Sequence, residues 1–175
     1  SIGHMGYALA GIAAGTNAGI QSTIIYLTIY LVMNLGAFAC IFMMKRESIF
    51  YENIKDLSGL SKNHPALALS FLIILFSLAG IPPLAGFFAK FYVFMAVIEA
   101  NMYALAIIGL VTTVVSAFYY LRIIKIIYFD KPNKPFDESY DWGLKSSLIL
   151  SSILILTYFI YPSILTNVVY SIIIY

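Results

Sequence analysis

The residue in this sequence that most demands a chemical explanation is Lys90. It stands in Ser77 to Phe94, reading SLAGIPPLAGFFAKFYVF, and between Pro82 and Glu99 no other charge occurs. If this interval crosses a bilayer as a helix rising about 1.5 Å per residue, the ammonium starts near the midplane of a hydrocarbon layer about 30 Å thick. A cation at that depth costs about 2.5 to 3.5 kcal/mol on insertion scales, which favours a polar pathway over lipid contact. The bland alternative is a lysine that snorkels its long stem to the interface, but the nearer interface is about 12 Å away along the axis at that rise. His4, in SIGHMGY, is the second ionisable candidate inside an apolar stretch. A lysine and a histidine with hydroxyls between them suit holding and passing protons, because a neutral imidazole both donates and accepts. Further polar groups singled out inside apolar runs are Asn34, Ser77, Thr112, Thr113 and Ser116. For His4 the competing reading is an interfacial histidine, and for Asn34 it is plain interhelical packing.

The elements that must position these groups are membrane helices. With 62% hydrophobic residues, 10% charged residues and a mean hydropathy of +0.93, the chain lies outside the range of water-soluble domains and reads as an integral membrane protein. The basic residues sit mostly in two loops, so no basic face for nucleic acid exists. The single cysteine, Cys40, excludes a disulfide within the chain and leaves too few thiolates for an iron–sulfur cluster or structural zinc site. No Walker A, dinucleotide-binding, nucleophile-elbow or zincin motif is present. The opening SIGHMGY lacks a basic region and a cleavage-type site, so it is no signal peptide; the expectation is the C-terminal part of a longer polytopic protein.

An all-α fold with about six transmembrane helices follows, with spans near 1–15, 21–44, 65–81, 83–99, 102–128 and 146–161. Gly11, Gly15 and Gly19 repeat a spacing that lets helices approach closely. Lys45 to Pro65 is a polar loop, with His64 solvated or interfacial at its end. Pro82 and Pro83 break the helix after Ile81, and a reversal there is preferred to one continuous helix. Arg122 and Lys125, flanked by Tyr119, Tyr120, Tyr128 and Phe129, read as an interfacial anchor with an aromatic belt. Asp130 to Lys145 forms a second loop. After Pro162 the tail 163–175 either prolongs the last span or lies along the interface. Six spans put the two loops on opposite faces. The narrow basic excess of the second then faces it to the cytoplasm or matrix, and Lys45 to Pro65 to the other side.

Five blocks in order, SIGHMGYALAG, YLVMNLGAFACI, DLSGLSK, FSLAGIPPLAGFFAKFYVF and AFYYLRIIKIIYFD, resemble the C-terminal part of the subunit N family of respiratory NADH-quinone oxidoreductase, complex I, whose mitochondrial counterpart is subunit 2. The resemblance covers Ser1 to about Tyr161. It implies the second half of a 14-helix, antiporter-like inverted-repeat fold, with a discontinuous helix around Lys90. It implies that Lys90 and His4 serve proton translocation, coupled to electron transfer from NADH to quinone. No cofactor is implied in this chain, since NADH, FMN, iron–sulfur clusters and quinone belong to other subunits. The implied partners are other membrane-arm subunits, the missing N-terminal half, which carries the remaining key charged groups, and the lipid bilayer. The implied location is a bacterial inner membrane, multi-pass, or alternatively a mitochondrial inner membrane. The competing functions are a subunit of a cation/proton antiporter of the same superfamily and a purely structural membrane scaffold.

Overall fold

A computed structural model describes residues 2–47, 49–137 and 141–173. Ser1 at the expected start of the first span, Ser48 in the first loop, Glu138 to Tyr140 in the second loop, and the last two tail residues lie outside the described residues. The chain forms α1 (Ile2–Ala13), α2 (Asn17–Phe42), a two-stranded ribbon of β1 (Lys45–Arg46) and β2 (Ile49–Phe50), a 3-10 turn at Ile54–Leu57, and α3 (Leu60–Asn63). These are followed by α4 (Pro65–Ala79), α5 (Ala85–Glu99), α6 (Tyr103–Phe129), α7 (Trp142–Thr157) and α8 (Ser163–Ile173).

A tight turn joins α1 to α2. Gly15 adopts φ 65° there, and the Thr16 hydroxyl caps α2 by accepting the Gly19 N–H at 3.0 Å. The small-residue spacing expected to serve one helix instead works across this hairpin. A side chain on Gly19 would run into the Gly11 carbonyl, so the two glycines let the backbones touch. Thr23 then reaches across to the Ala8 carbonyl at 3.1 Å.

Only α2 and α6, at 26 and 27 residues, are long and apolar enough among the described helices to cross a bilayer alone. Helices α4 and α5 have 15 residues each. At 1.5 Å per residue each is about 22 Å long, short of the roughly 30 Å hydrocarbon layer. Their contacts show how they share the distance. The start of α4 is tied to the second loop, where the Phe136 N–H donates to His64 Nε2 at 3.0 Å. Ser77, near the end of α4, meets Met33 at the middle of α2. Glu99, at the end of α5, shares a cavity with Ala18, Gln21 and Ser22 at the start of α2.

Helices α4 and α5 therefore run one after the other along α2 as two halves of a single broken element, in place of the reversal expected at Pro82 and Pro83. The physical reason is local. Prolines end the helix, but the left-handed Gly80 (φ 85°) and the close approach of Gly86 to α4 set α5 going onward. That leaves six separate spans one too many, and it overturns the expectation of loops on opposite faces.

The two loops in fact bond to each other. Ser58 donates from its hydroxyl to the Lys131 carbonyl (2.9 Å), Asn63 from its amide to the Asn133 carbonyl (2.6 Å), and Asn133 from its amide to the Lys55 carbonyl (2.8 Å). Arg46 reaches the Pro135 carbonyl at 3.1 Å and also bonds the Lys134 carbonyl, while its guanidinium lies over the Tyr51 and Phe136 rings. Gly59, at φ 61°, packs so closely on the backbone of Pro132 that no side chain fits. Near the same face, α6 ends with the Ile126 carbonyl accepting the Gly59 N–H.

The tail question resolves in favour of prolongation. Helix α7 packs Ser151 near Gly36, and α8 carries Tyr170 to the level of Ala18 and Gln21. The chain bends between them at 158–162, ahead of and including Pro162. In the core of the bundle, the side chains of Ile25, Tyr26, Met33, Ile74, Val93, Val97, Ile127 and Ile155 are all but inaccessible. Helix α6 keeps Ile107, Ile108, Val111, Val114, Val115 and Phe118 on its outside, an apolar rim that suits lipid or protein but not water.

Candidate functional site

At the break between α4 and α5 the backbone accounting is nearly complete. The Gly80 N–H donates to Phe76 and Ser77 carbonyls, and the Ile81 N–H to the Phe76 carbonyl at 3.0 Å, the pattern of a Schellman cap. This leaves the carbonyls of Leu78 and Ala79 at the negative end of α4. Lys90 takes both, its Nζ donating at 3.1 and 3.2 Å. On the other side of the break, Ser77 Oγ accepts the Gly86 N–H at 3.0 Å and donates to Met33 Sδ at 3.0 Å, so one hydroxyl of α4 caps the start of α5. Gly86 cannot carry a side chain, because a Cβ there would collide with the Ser77 carbonyl. The bend includes a cis Pro82–Pro83 bond.

Lys90 is only 4% exposed. It therefore does not snorkel, and no carboxylate of the described residues lies against it. Its neighbours are the two carbonyls, the open space left by Gly80, and the face of Tyr7, whose ring centroid is 5.1 Å from Nζ.

His4 is equally buried and is held by side chains alone. Its Nδ1 pairs with the Tyr26 hydroxyl at 2.7 Å, its Nε2 with the Tyr120 hydroxyl at 3.1 Å, and its ring stacks on Tyr30 with centroids 4.8 Å apart. One imidazole thus joins α1, α2 and α6, with either nitrogen able to carry the proton. Tyr7 stands between the two candidates, edge-on to His4 at 6.3 Å and face-on to Lys90. Its hydroxyl bonds Thr113 Oγ1 at 2.7 Å and Thr112 Oγ1 at 3.3 Å.

Of the groups expected from sequence, Lys90 and Ser77 meet at the break, while Thr112 and Thr113 reach it through Tyr7. Among the described residues, Ser116 bonds only its own helix, at the Thr113 carbonyl, and Asn34 is half-buried on α2 without joining either cluster. Tyr120 departs from the expected belt by turning inward to His4, whereas Tyr119 and Phe129 remain exposed. His64 serves the joined loops, and Cys40 is buried in the core. Tyr7, Tyr26 and Tyr30 were not singled out by sequence reasoning. The available signal was spacing: His4 and Tyr7 at i, i+3, and Tyr26 and Tyr30 at i, i+4, each pair on one helix face. No trio of His, Cys, Asp or Glu among the described residues could hold a metal ion. The arrangement can hold a buried proton at two places and offer hydroxyls near both.

A family model described as NADH:quinone oxidoreductase/Mrp antiporter, transmembrane, matches residues 1–116. The chain is 65% identical to NADH-quinone oxidoreductase subunit N of Pelagibacter ubique, over 97% of this chain and 36% of that protein. It is 53% identical to subunit N of Parvibaculum lavamentivorans, over 93% of this chain and 34% of that protein. The chain thus spans about a third of the length of these relatives. Among solved structures, the Mrp complex from Dietzia superposes with TM-score 0.82 at 21% identity, over 95% of this chain and 39% of that one. Respiratory complex I from Thermus thermophilus with bound NADH gives 0.78 at 23% identity, over 97% and 37%. These two likenesses establish the fold.

Proposed function

Because the chain belongs to the NADH:quinone oxidoreductase/Mrp antiporter transmembrane family, we propose that it is the C-terminal part of a subunit N, a membrane-arm subunit of a proton-translocating NADH-quinone oxidoreductase. In this reading it couples electron transfer from NADH to quinone, carried out with FMN and iron–sulfur clusters in other subunits, to proton movement across a bacterial inner membrane. The partner surfaces are the N-terminal part of the same subunit and neighbouring membrane-arm subunits. Lys90 is the proton-bearing group of the discontinuous helix, and His4 is the relay that exchanges with it.

The observation that carries this reading is the buried Lys90 at the helix break. A cation that merely stabilised the fold would be expected to have a carboxylate beside it or a route to the interface, and Lys90 has two carbonyls and an aromatic ring instead. Such a charge is responsive: a change of potential or of a neighbouring charge alters its hold on the proton. Moving one charge against 100 mV takes about 2.3 kcal/mol, a size that local rearrangement can supply.

The same break supports the antiporter alternative, since the Mrp fold superposes as well as the complex I fold. The names of the relatives favour the oxidoreductase, and sodium-dependent transport without quinone reduction would favour the antiporter.

The test is substitution in the assembled complex. Lys90→Ala lowers proton translocation by about a hundredfold, the scale of a lost acid–base group. Lys90→Arg keeps the charge but not the exchange, because arginine stays protonated. Full pumping by the arginine variant would reduce Lys90 to a fixed charge, and full pumping by the alanine variant with normal assembly would end the reading.

The shared loop face bears on orientation. Every lysine and arginine other than Lys90 lies in these loops or on the last turns of α6 and the first of α7. The positive-inside rule then directs both loops to the cytoplasm.

A further inference from the structure

An ammonium has three N–H donors, and Lys90 spends two on the carbonyls of Leu78 and Ala79. The third direction has no oxygen acceptor among the described residues. What lies there is the face of Tyr7, 5.1 Å from Nζ, within the distance at which a ring's negative face attracts a cation. A neutral amine, which turns a lone pair outward, gains nothing from that face.

The ring is not free to move away. The Thr113 hydroxyl donates to the Gly109 carbonyl at 3.0 Å, which leaves its oxygen to accept the Tyr7 O–H at 2.7 Å. The ring is further fixed edge-on to Phe94 at 5.9 Å, and Phe94 lies on the same helix as Lys90. Tyr7 therefore touches α5 with its ring and α6 with its hydroxyl while standing on α1, one turn from His4.

From this we propose that Tyr7 is the positioning residue of the Lys90 ammonium. Its ring completes the cation's surroundings, and the Thr113 bond fixes the ring against it. A shift of α6 relative to α1 would withdraw the ring and loosen the ammonium, so that Tyr7 links movement of α6 to the charge at the break. The inference rests on the proton-bearing role given to Lys90 above.

The experiment uses the assembled complex in membrane vesicles and reads protons translocated per quinone reduced. Tyr7→Phe keeps the ring but loses the Thr113 bond that fixes it and falls about threefold, and Tyr7→Leu falls by about tenfold, within the range of a desolvated cation–ring contact. Should Tyr7→Leu fail to assemble, a series of mono-, di- and trifluorophenylalanine at position 7 decides, because fluorine drains the ring face with little change of size. Translocation that falls step by step along the series supports the inference, and a flat series overturns it. Lys90→Ala run in parallel separates the two ideas. If Lys90→Ala still pumps, the function assigned to Lys90 fails; if Lys90→Ala is inactive and the fluorinated series is flat, only the role of Tyr7 fails.

Discussion

Lys90 and His4 are both buried to the same extent, yet they are held by opposite means. Lys90 is bound by main-chain carbonyls that a broken helix leaves over, with a ring closing the third side. His4 is bound by the hydroxyls of Tyr26 and Tyr120, from two different helices, and by the stacked ring of Tyr30. The difference teaches where precision comes from in each case. Carbonyls at a helix terminus are fixed by the backbone and cannot rotate away, so the lysine site depends on the geometry of the break. Hydroxyls turn freely and can reverse their donor and acceptor roles, so the histidine site depends on which helices stay packed. One is suited to holding a proton and the other to passing it.

The contrast can be broken at the backbone first. Gly86→Val inserts a side chain against the Ser77 carbonyl and costs about 3 kcal/mol or more of overpacking, enough to separate α5 from the cap that Ser77 provides. Loss of assembly on native gels, or a large drop in thermal stability of the complex, is the expected result. A stable, fully active Gly86→Val complex would show that the close approach of α4 and α5 is not required.

The histidine cluster predicts smaller effects. His4→Ala removes the proposed relay but leaves the break intact, so pumping falls by about a hundredfold, the low end for an acid–base group, while assembly stays normal. Tyr120→Phe removes one of two hydroxyl partners and costs about 1 kcal/mol of hydrogen bonding, read as a few-fold loss. Equal, severe losses in His4→Ala and Lys90→Ala would argue that the two sites act as one unit and not in sequence.

The smallest effect belongs to a pair remote from both sites. With Ser58→Cys and Lys131→Cys introduced together, a disulfide forms across the joined loops and pumping is unchanged. Labelling of the two cysteines from opposite sides of the membrane would restore the separate-face topology.

Much of the lysine site was legible in the sequence because its parts are local. A lysine in an apolar run and two prolines before it mark a break and a buried charge within a dozen or so positions. The direction taken after the break was not legible. Proline forbids continuation of the helix but does not choose between turning back and going on; Ser77 capping Gly86 and the room at Gly86 make that choice. The histidine site was hardly legible at all. His4 and Tyr120 are 116 positions apart, and nothing in AFYYLRIIKIIYFD distinguishes a tyrosine turned inward from one placed in an aromatic belt. Loop placement failed for a related reason: one wrong reversal inverts the face of everything after it.

The bonds between the loops also dictate an order of assembly. The α1–α2 turn closes over neighbouring residues and can form as soon as both helices exist. The Ser58 and Lys131 pair is separated by 73 positions and the Asn63 and Asn133 pair by 70, with both halves of the broken helix and all of α6 between them. The loops can therefore join only after α6 has crossed back. Until that moment the Gly59 N–H and the amide of Asn133 lack their partners in the finished protein, and a ribosome-bound chain ending before Asp130 would leave the start of α4 without its His64 bond to Phe136 at that face.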